Sequence, residues 1–294
     1  MYFRAGLSLV IILMIAMFAV AQDVVTTEEP SDVIVPDPNS DDPVERGAYL
    51  VRVEIACVGC HGAEDYHDDP LGVALSGGRE FALPFGTVYA PNLTVLQDWT
   101  DDDIEFAIRY GVDAAGETLL PPMSYSLHEN MADQDMADII AYIRSLEPVE
   151  NEVPEAELLP GLEPEFIRVV PEFDPEAEFD YPEGYVDDPL VQGTYMATTT
   201  SHCIACHGAA VDGVVDPTGP AAGEVVSLFP SLLSDHLRRY SDEELAAIFD
   251  DTSLFEMPTY SYQYLVDEDV TALIAWLRSQ PSEEEWAEMK SEDN

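Results

Sequence analysis

Two five-residue runs constrain this chain more than anything else in it: Cys57-Val-Gly-Cys60-His61 and Cys203-Ile-Ala-Cys206-His207. C-x-x-C-H is the signature of covalent c-type haem attachment. Two thiols with two residues between them add across the two vinyl groups of one haem. The adjacent histidine is then carried to the iron as its proximal ligand. Any fold that obeys this must wrap a porphyrin, so each haem adds a large apolar body to a core. The two motifs use all four cysteines, which leaves none for a disulfide. The competing reading shares one zinc between two C-x-x-C knuckles, which are usually ~15–20 residues apart. Cys57 and Cys203 are 146 positions apart, and each motif ends in histidine. The pattern therefore predicts two covalently attached haem c groups.

The chain around the motifs repeats. Gly47-Ala-Tyr49 precedes the first as Gly193-Thr-Tyr195 precedes the second, at an offset of 146. Thr100-Asp-Asp-Asp-Ile104 matches Ser241-Asp-Glu-Glu-Leu245 at 141, and Met123 matches Met257 at 134. Asp133 to Ser145 matches Asp267 to Ser279, also at 134. A tandem duplication with 12 extra residues in the first copy accounts for all four matches. The 294 residues suit about two domains. Each copy reads as short helices, giving an all-α class. Asp42–Glu54 and Asp188–Thr198 lead into the motifs. Thr100 and Ser241 are N-caps followed by acids in the first turn. Met136, Ile139, Ile140 and Ile143 recur at helical spacing, as do Val270, Leu273, Ile274 and Leu277. Gly47 and Gly193 are expected to let the first helix pass close to the last, against Tyr142 and Trp276.

The sixth iron ligand decides the chemistry, because a methionine thioether closes the site and raises its potential. Met123, in Leu120-Pro-Pro-Met123, and Met257, in Met257-Pro-Thr-Tyr260, sit at matched loop positions and are the expected distal ligands. The alternative for any methionine is gap-filling in a core, which is how Met131 and Met136 read. His67 and His128 read as surface residues, and His202 as exposed or close behind the haem. His236 falls just before the second capped helix. Arg52 and Arg79 are the cations expected near haem propionates in the first domain.

Residues 1–21 read as a signal peptide: Arg4, an apolar run, then Ala19-Val-Ala21. The alternative is an uncleaved anchor, since 17 apolar residues approach a membrane span. Either reading exports the protein to the periplasm or beyond, where c-type haem is attached. Residues 22–42 are expected to be an acidic disordered tether, 43–148 the first domain and 189–281 the second. Residues 149–188 form an irregular Pro/Glu-rich strap packed along the domains by Phe166, Phe173, Phe179, Tyr181 and Tyr185. Residues 282–294 are an acidic tail, frayed or a short helix. Eleven basic residues face 59 acidic ones, a net −48, and Lys290 is the sole lysine. Nucleic acid is excluded as a partner. The acidity either solvates the surface or steers a basic docking face on a redox partner, and its even spread favours the former.

At these residues the chain resembles a dihaem cytochrome c built from two class I-type domains. The first is similar to the haem domains of alcohol and gluconate dehydrogenase cytochrome c subunits. The resemblance runs through Gly77-Gly-Arg-Glu-Phe81, Phe85-Gly-Thr-Val-Tyr-Ala-Pro-Asn-Leu-Thr94, Pro121-Pro-Met123 and Ala141-Tyr-Ile-Arg-Ser-Leu146. It implies methionine ligation at Met123 and, through the repeat, at Met257. The chain departs from that family at Val95-Leu-Gln97 and Met123-Ser124. Those subunits commonly carry three haems, and this sequence carries two motifs. The function implied is electron transfer between redox partners by a carrier rather than a stand-alone catalyst. The alternatives are a subunit of a dehydrogenase or respiratory complex, a dihaem peroxidase-like enzyme, or a gas sensor.

Overall fold

Each copy opens with the same capped helix. Asp42 accepts from Val44 N at 3.0 Å and Asp188 from Leu190 N at 2.9 Å, and a proline follows each cap. Both features favour a helix start at that point. The structure is a computed structural model. It describes residues 34–63, 66–123, 125–162, 177–208, 214–215, 226–227, 230–251 and 257–292. The expected signal peptide, Phe166 and Phe173 lie outside the described residues.

Helix α1 (Pro43–Tyr49) continues through a wider π turn, Leu50–Glu54, into α2 (Val58–His61). A hairpin follows, β1 (Glu80–Leu83) with β2 (Gly86–Tyr89), then α3 (Asp101–Arg109), α4 (Tyr125–His128) and α5 (Asp133–Ser145). The strap adds β3 (Glu157–Leu158) to the edge of β2. The second copy runs α6 (Pro189–Tyr195), a π turn Met196–Thr200, α7 (Cys203–His207), and β4 (Val214–Val215) paired with β5 (Val226–Ser227). It closes with α8 (Ser234–Leu237), α9 (Asp242–Phe249), α10 (Thr259–Tyr262) and α11 (Asp267–Arg278). The tail is helix α12 (Glu283–Glu292), the second of its two expected states. The architecture is the expected pair of helical repeats, with small β pairings that the sequence reading did not include.

The repeat holds at the level of atoms. Thr100 and Ser241 each close a reciprocal capping box, with Asp103 and Glu244. Arg144 donates to the Asp101 carboxylate and to the carbonyls of Leu96 and Trp99. Arg278 does the same with Asp242, Leu237 and Tyr240. Each arginine thus ties the last helix of its copy to the capped one. A Cβ on Gly47 would stand 1.9 Å from the Asp138 carbonyl oxygen and 2.8 Å from Tyr142 Cβ. A Cβ on Gly193 would stand 1.9 Å from the Ala272 oxygen. Only glycine permits so close a crossing. At Gly193 the nearest atoms belong to the backbone of Ala272 and Leu273.

Contacts gather Val35–Asn294 into one compact unit, and the two copies lend each other side chains. Tyr49 and Val53 from the first copy belong to the core of the second, and Tyr260 of the second packs on the core of the first. Val35, placed by the sequence in the tether, also packs on the second core. The contact between copies is reciprocal. Tyr49 Oη donates to Asp269 at 2.5 Å and accepts from Val266 N at 3.1 Å. Tyr195 Oη donates to Asp135 at 2.7 Å and accepts from Ala132 N at 2.9 Å. These are equivalent residues at the repeat offsets, so a pseudo-two-fold axis relates the two bonds. Glu54 and Thr200, themselves equivalent, meet on that axis, and the Thr200 hydroxyl donates to the Glu54 carboxyl. Strap residues 179–185 pack beside this contact. Tyr181 and Tyr185 stack at 4.3 Å, Tyr185 meets Tyr195 edge-on at 5.2 Å, and the Arg109 guanidinium lies 4.6 Å from the Phe179 ring.

This interface also corrects the reading of His128, which is buried rather than superficial, 3% exposed. Its Nδ1 lies 3.2 Å from His202 Nε2. Its polar sequence neighbours suggested solvent, but the second copy covers it.

Candidate functional site

The motif segments are single helical turns. His61 N donates to Cys57 O at 2.9 Å, and Gly59 N to Ala56 O at 2.8 Å. Cys57, Cys60 and His61 therefore stand at i, i+3 and i+4, on one helix face, and Cys203, Cys206 and His207 repeat the arrangement. The chain enters both turns through a left-handed residue, Ala56 (φ 58°) and His202 (φ 54°), at the same repeat position. Such a backbone costs about 1–3 kcal/mol in a non-glycine residue and persists only where the surroundings impose it.

Both histidines are oriented from behind. His61 Nδ1 lies 2.9 Å from the Pro91 carbonyl oxygen, and His207 Nδ1 2.8 Å from that of Pro230. A carbonyl only accepts, so Nδ1 carries the proton and Nε2 carries the lone pair. This is the state an iron ligand requires. Burial lowers the pKa of both rings, which keeps them neutral, while the carbonyl bond opposes it. Burial pushes the Cys57 and Cys203 thiols up to about 12 and also raises those of Cys60 and Cys206. Zinc binding needs thiolates converging on one point. Among the described residues, no three Cys, His, Asp or Glu side chains gather that way. The donor set and its orientation fit a covalently held haem instead.

Met257 is half-buried on the core that also receives Cys203 and Ile204. Met123 is half-buried between Pro121-Pro122 and α4. Met131 and Met136 are fully enclosed core residues, as expected. His67 is exposed, and His236 pairs with Glu283 at 3.1 Å. Arg79 donates to the Gly59 carbonyl and to Tyr66 Oη at 2.8 Å, so it stands at the first attachment turn. Arg52 is buried, bonded to Tyr142 Oη and to Pro70 O at 2.9 Å. Among the described residues neither arginine has a carboxylate partner, in a chain with 59 of them.

Two groups of residues near these sites went unread in the sequence. Tyr260 and Tyr262, on α10, reach toward the two motifs. Their signal was a tyrosine pair just after Met257. Glu54, Asp135 and Asp269 line a cavity of about 200 Å³ between the copies, with Arg46, Gln192 and Tyr185. Arg46 and Gln192 are equivalent residues. Arg46 donates to Asp135 at 3.1 Å and Gln192 to Asp269 at 2.9 Å. Burial holds the Glu54 carboxyl well above its usual range, reinforced by Asp269 and Asp135. Burial likewise raises Asp269 to about 6, and raises Asp135 against the opposing effect of its tyrosine bonds and Arg46.

Comparison with known proteins gives a consistent pattern. The family model for cytochrome c matches residues 44–147 and 194–281. The chain is 28% identical over 274 residues to the gluconate 2-dehydrogenase cytochrome c subunit of Pantoea cypripedii, covering 83% of this chain and 60% of that protein. It is 27% identical over 270 residues to the alcohol dehydrogenase (quinone) cytochrome c subunit of Gluconacetobacter polyoxogenes, covering 81% and 56%. A diheme cytochrome c-type protein of Cereibacter sphaeroides is 31% identical over 97 residues, 31% of this chain and 32% of that one. The chain thus spans somewhat over half the length of the dehydrogenase subunits it matches. Among the described residues no helix is long and apolar enough to cross a membrane.

Proposed function

The chain belongs to the cytochrome c family, an electron-transfer protein with covalently bound haem c, and on that premise we propose that it carries two haems, one in each repeat. The observation that carries this reading is the matched pair of histidines, each with Nδ1 on a proline carbonyl and each on one helix face with two cysteines. In this reading Cys57 and Cys60 hold the first haem and Cys203 and Cys206 the second. His61 and His207 are the proximal ligands, and Met123 and Met257 the distal ones. Bound haem supplies a one-electron iron couple. The chain's own residues set its potential and access: the proline carbonyls make the imidazoles better donors, and the thioethers favour the reduced state. Arg52 and Arg79, cations without carboxylate partners among the described residues, suit haem propionates.

The partner is a redox protein outside the cytoplasmic membrane. The names of the relatives favour a dehydrogenase as the electron source. A net charge of −48 suits a basic docking face, and a steep loss of transfer rate with added salt is the mark of steering over a merely solvating acid coat.

The test is haem content and the oxidised spectrum. Two haems per chain and a methionine–iron charge-transfer band are expected. Met123→Leu and Met257→Leu should each remove about half of that band, as axial thioether ligation at two independent sites requires. High-spin iron in the oxidised wild type, with peroxide turnover, would replace the carrier with a peroxidase-like enzyme.

A further inference from the structure

We infer that the turn Met257–Tyr262 couples the two haem sites, with Tyr260 as the positioning residue for the attachment turn of the first repeat. The inference rests on the ligand reading proposed above. The turn is rigid at its start. The Met257 carbonyl accepts from Thr259 N at 2.8 Å, and Ser261 N and Tyr262 N both donate to Pro258 O at 2.9 Å. Two tyrosines two positions apart on one helical turn point in nearly opposite directions, and here each direction ends at a motif.

Tyr262 stays in its own copy. It is buried, and its hydroxyl donates to the Ser201 carbonyl, two residues before Cys203. Tyr260 leaves its copy. Its ring meets Tyr66 edge-on at 5.1 Å and His67 at 4.9 Å, both in the first repeat. Its hydroxyl occupies the space in which a side chain at residue 59 would begin: a Cβ on Gly59 would stand 1.9 Å from Tyr260 Oη and 3.0 Å from Cζ. Gly59 lies inside the first C-x-x-C, and the equivalent residue in the second is Ala205. The Gly59 carbonyl is held by Arg79, which also bonds Tyr66. The first attachment turn is thus gripped between Arg79 and a tyrosine from the other repeat. That tyrosine is three residues from the methionine assigned to the second haem.

The duplication alone does not supply this grip. The residues equivalent to Tyr260 and Tyr262 are Ser126 and His128, and from that helix it is His128 that crosses, to His202. The coupling is therefore built differently in its two directions. With haem held at both sites, exchange between them would pass one electron from a ferrous to a ferric iron, with no proton or further reagent. Electronic coupling falls more steeply across gaps than along bonds, so a bonded turn in van der Waals contact with the far attachment segment favours that exchange.

The test uses the full dihaem protein. Gly59→Ala should lower the protein's unfolding midpoint, and adding Tyr260→Phe, which deletes the atom 1.9 Å away, should recover most of the shift. Tyr260→Ala should speed hydrogen exchange at the Cys57–His61 amides about tenfold or more. It should also slow electron equilibration between the haems after flash reduction. The inference is overturned if Gly59→Ala costs as much in the Tyr260→Phe background as in the wild type, or if Tyr260→Ala leaves either rate at its wild-type value. Loss of the methionine band in the wild type would instead overturn the ligand reading, and the exchange measurement would still decide whether Tyr260 seats the turn.

Discussion

Replacing Glu54 by glutamine should stabilise this protein at neutral pH and leave it unchanged near pH 4. Glu54 is 5% exposed, on the axis between the two repeats. Its carboxyl accepts from Thr200 and faces Asp269 and Asp135, with Arg46 as the opposing cation. Burial, the largest cause, holds its pKa well above the ordinary 4.5. Above that value the unfolded chain ionises Glu54 while the folded chain keeps the proton. Folding then takes up a proton, so stability is full below the unfolded pKa and falls as pH rises toward the folded one. Each pH unit in that window costs about 1.4 kcal/mol. Between 4.5 and neutrality the ceiling is about 3 kcal/mol. Glutamine keeps the shape, accepts from Thr200 through its carbonyl, and offers its amide to the neighbouring acids. The assay is chemical denaturation of the haem-loaded wild type and Glu54→Gln from about pH 4 to pH 8 at constant high salt. The difference should open from near zero toward that ceiling. Asp269, raised to about 6 by burial, leaves a residual slope of the same sign in the variant. A difference independent of pH, or a variant weaker throughout, would refute the reasoning, because Glu54 would then be ionised in the fold.

Tyr195→Phe removes a donor from buried Asp135 and the acceptor of Ala132 N, and should cost about 1–3 kcal/mol in equilibrium denaturation. Tyr49→Phe should cost a similar amount through Asp269 and Val266, and inequality beyond a factor of about three would deny the pseudo-symmetry of the interface. Gly193→Ala drives a methyl to within 1.9 Å of a backbone oxygen, so its loss in a thermal melt should exceed the ~1–3 kcal/mol of ordinary overpacking. Thr100→Ala and Ser241→Ala each break a capping box and should each cost about 1 kcal/mol by calorimetry.

Helical period, capping chemistry and the repeat offset were legible in the residues themselves, whereas the short β pairings and the left-handed entries at Ala56 and His202 were not. Cysteine and histidine at i, i+3 and i+4 share a helix face because of helical pitch. Thr100 and Ser241 start helices because a hydroxyl caps the free amides beside it. The buried stripe Met136, Ile139, Ile140, Ile143 follows from the same period. Gly47 and Gly193 announced a close crossing, and at both the nearest atom is a backbone oxygen of the last helix. How the repeats face each other is set by long-range packing. Tyr49 and Asp269 are 220 positions apart, and His128 and His202 74 apart, so no local period carries their contacts. These residues look soluble in sequence: a histidine among polar neighbours, a glutamate in a chain of glutamates, a tyrosine after a methionine. Docking removed water from them, and that made Glu54 a titrating group, His128 an interior one and Tyr260 a contact of the other repeat's attachment turn. The chemistry of each site is local and therefore legible, whereas its coupling to the other site is a property of the interface and exists only once the chain has folded.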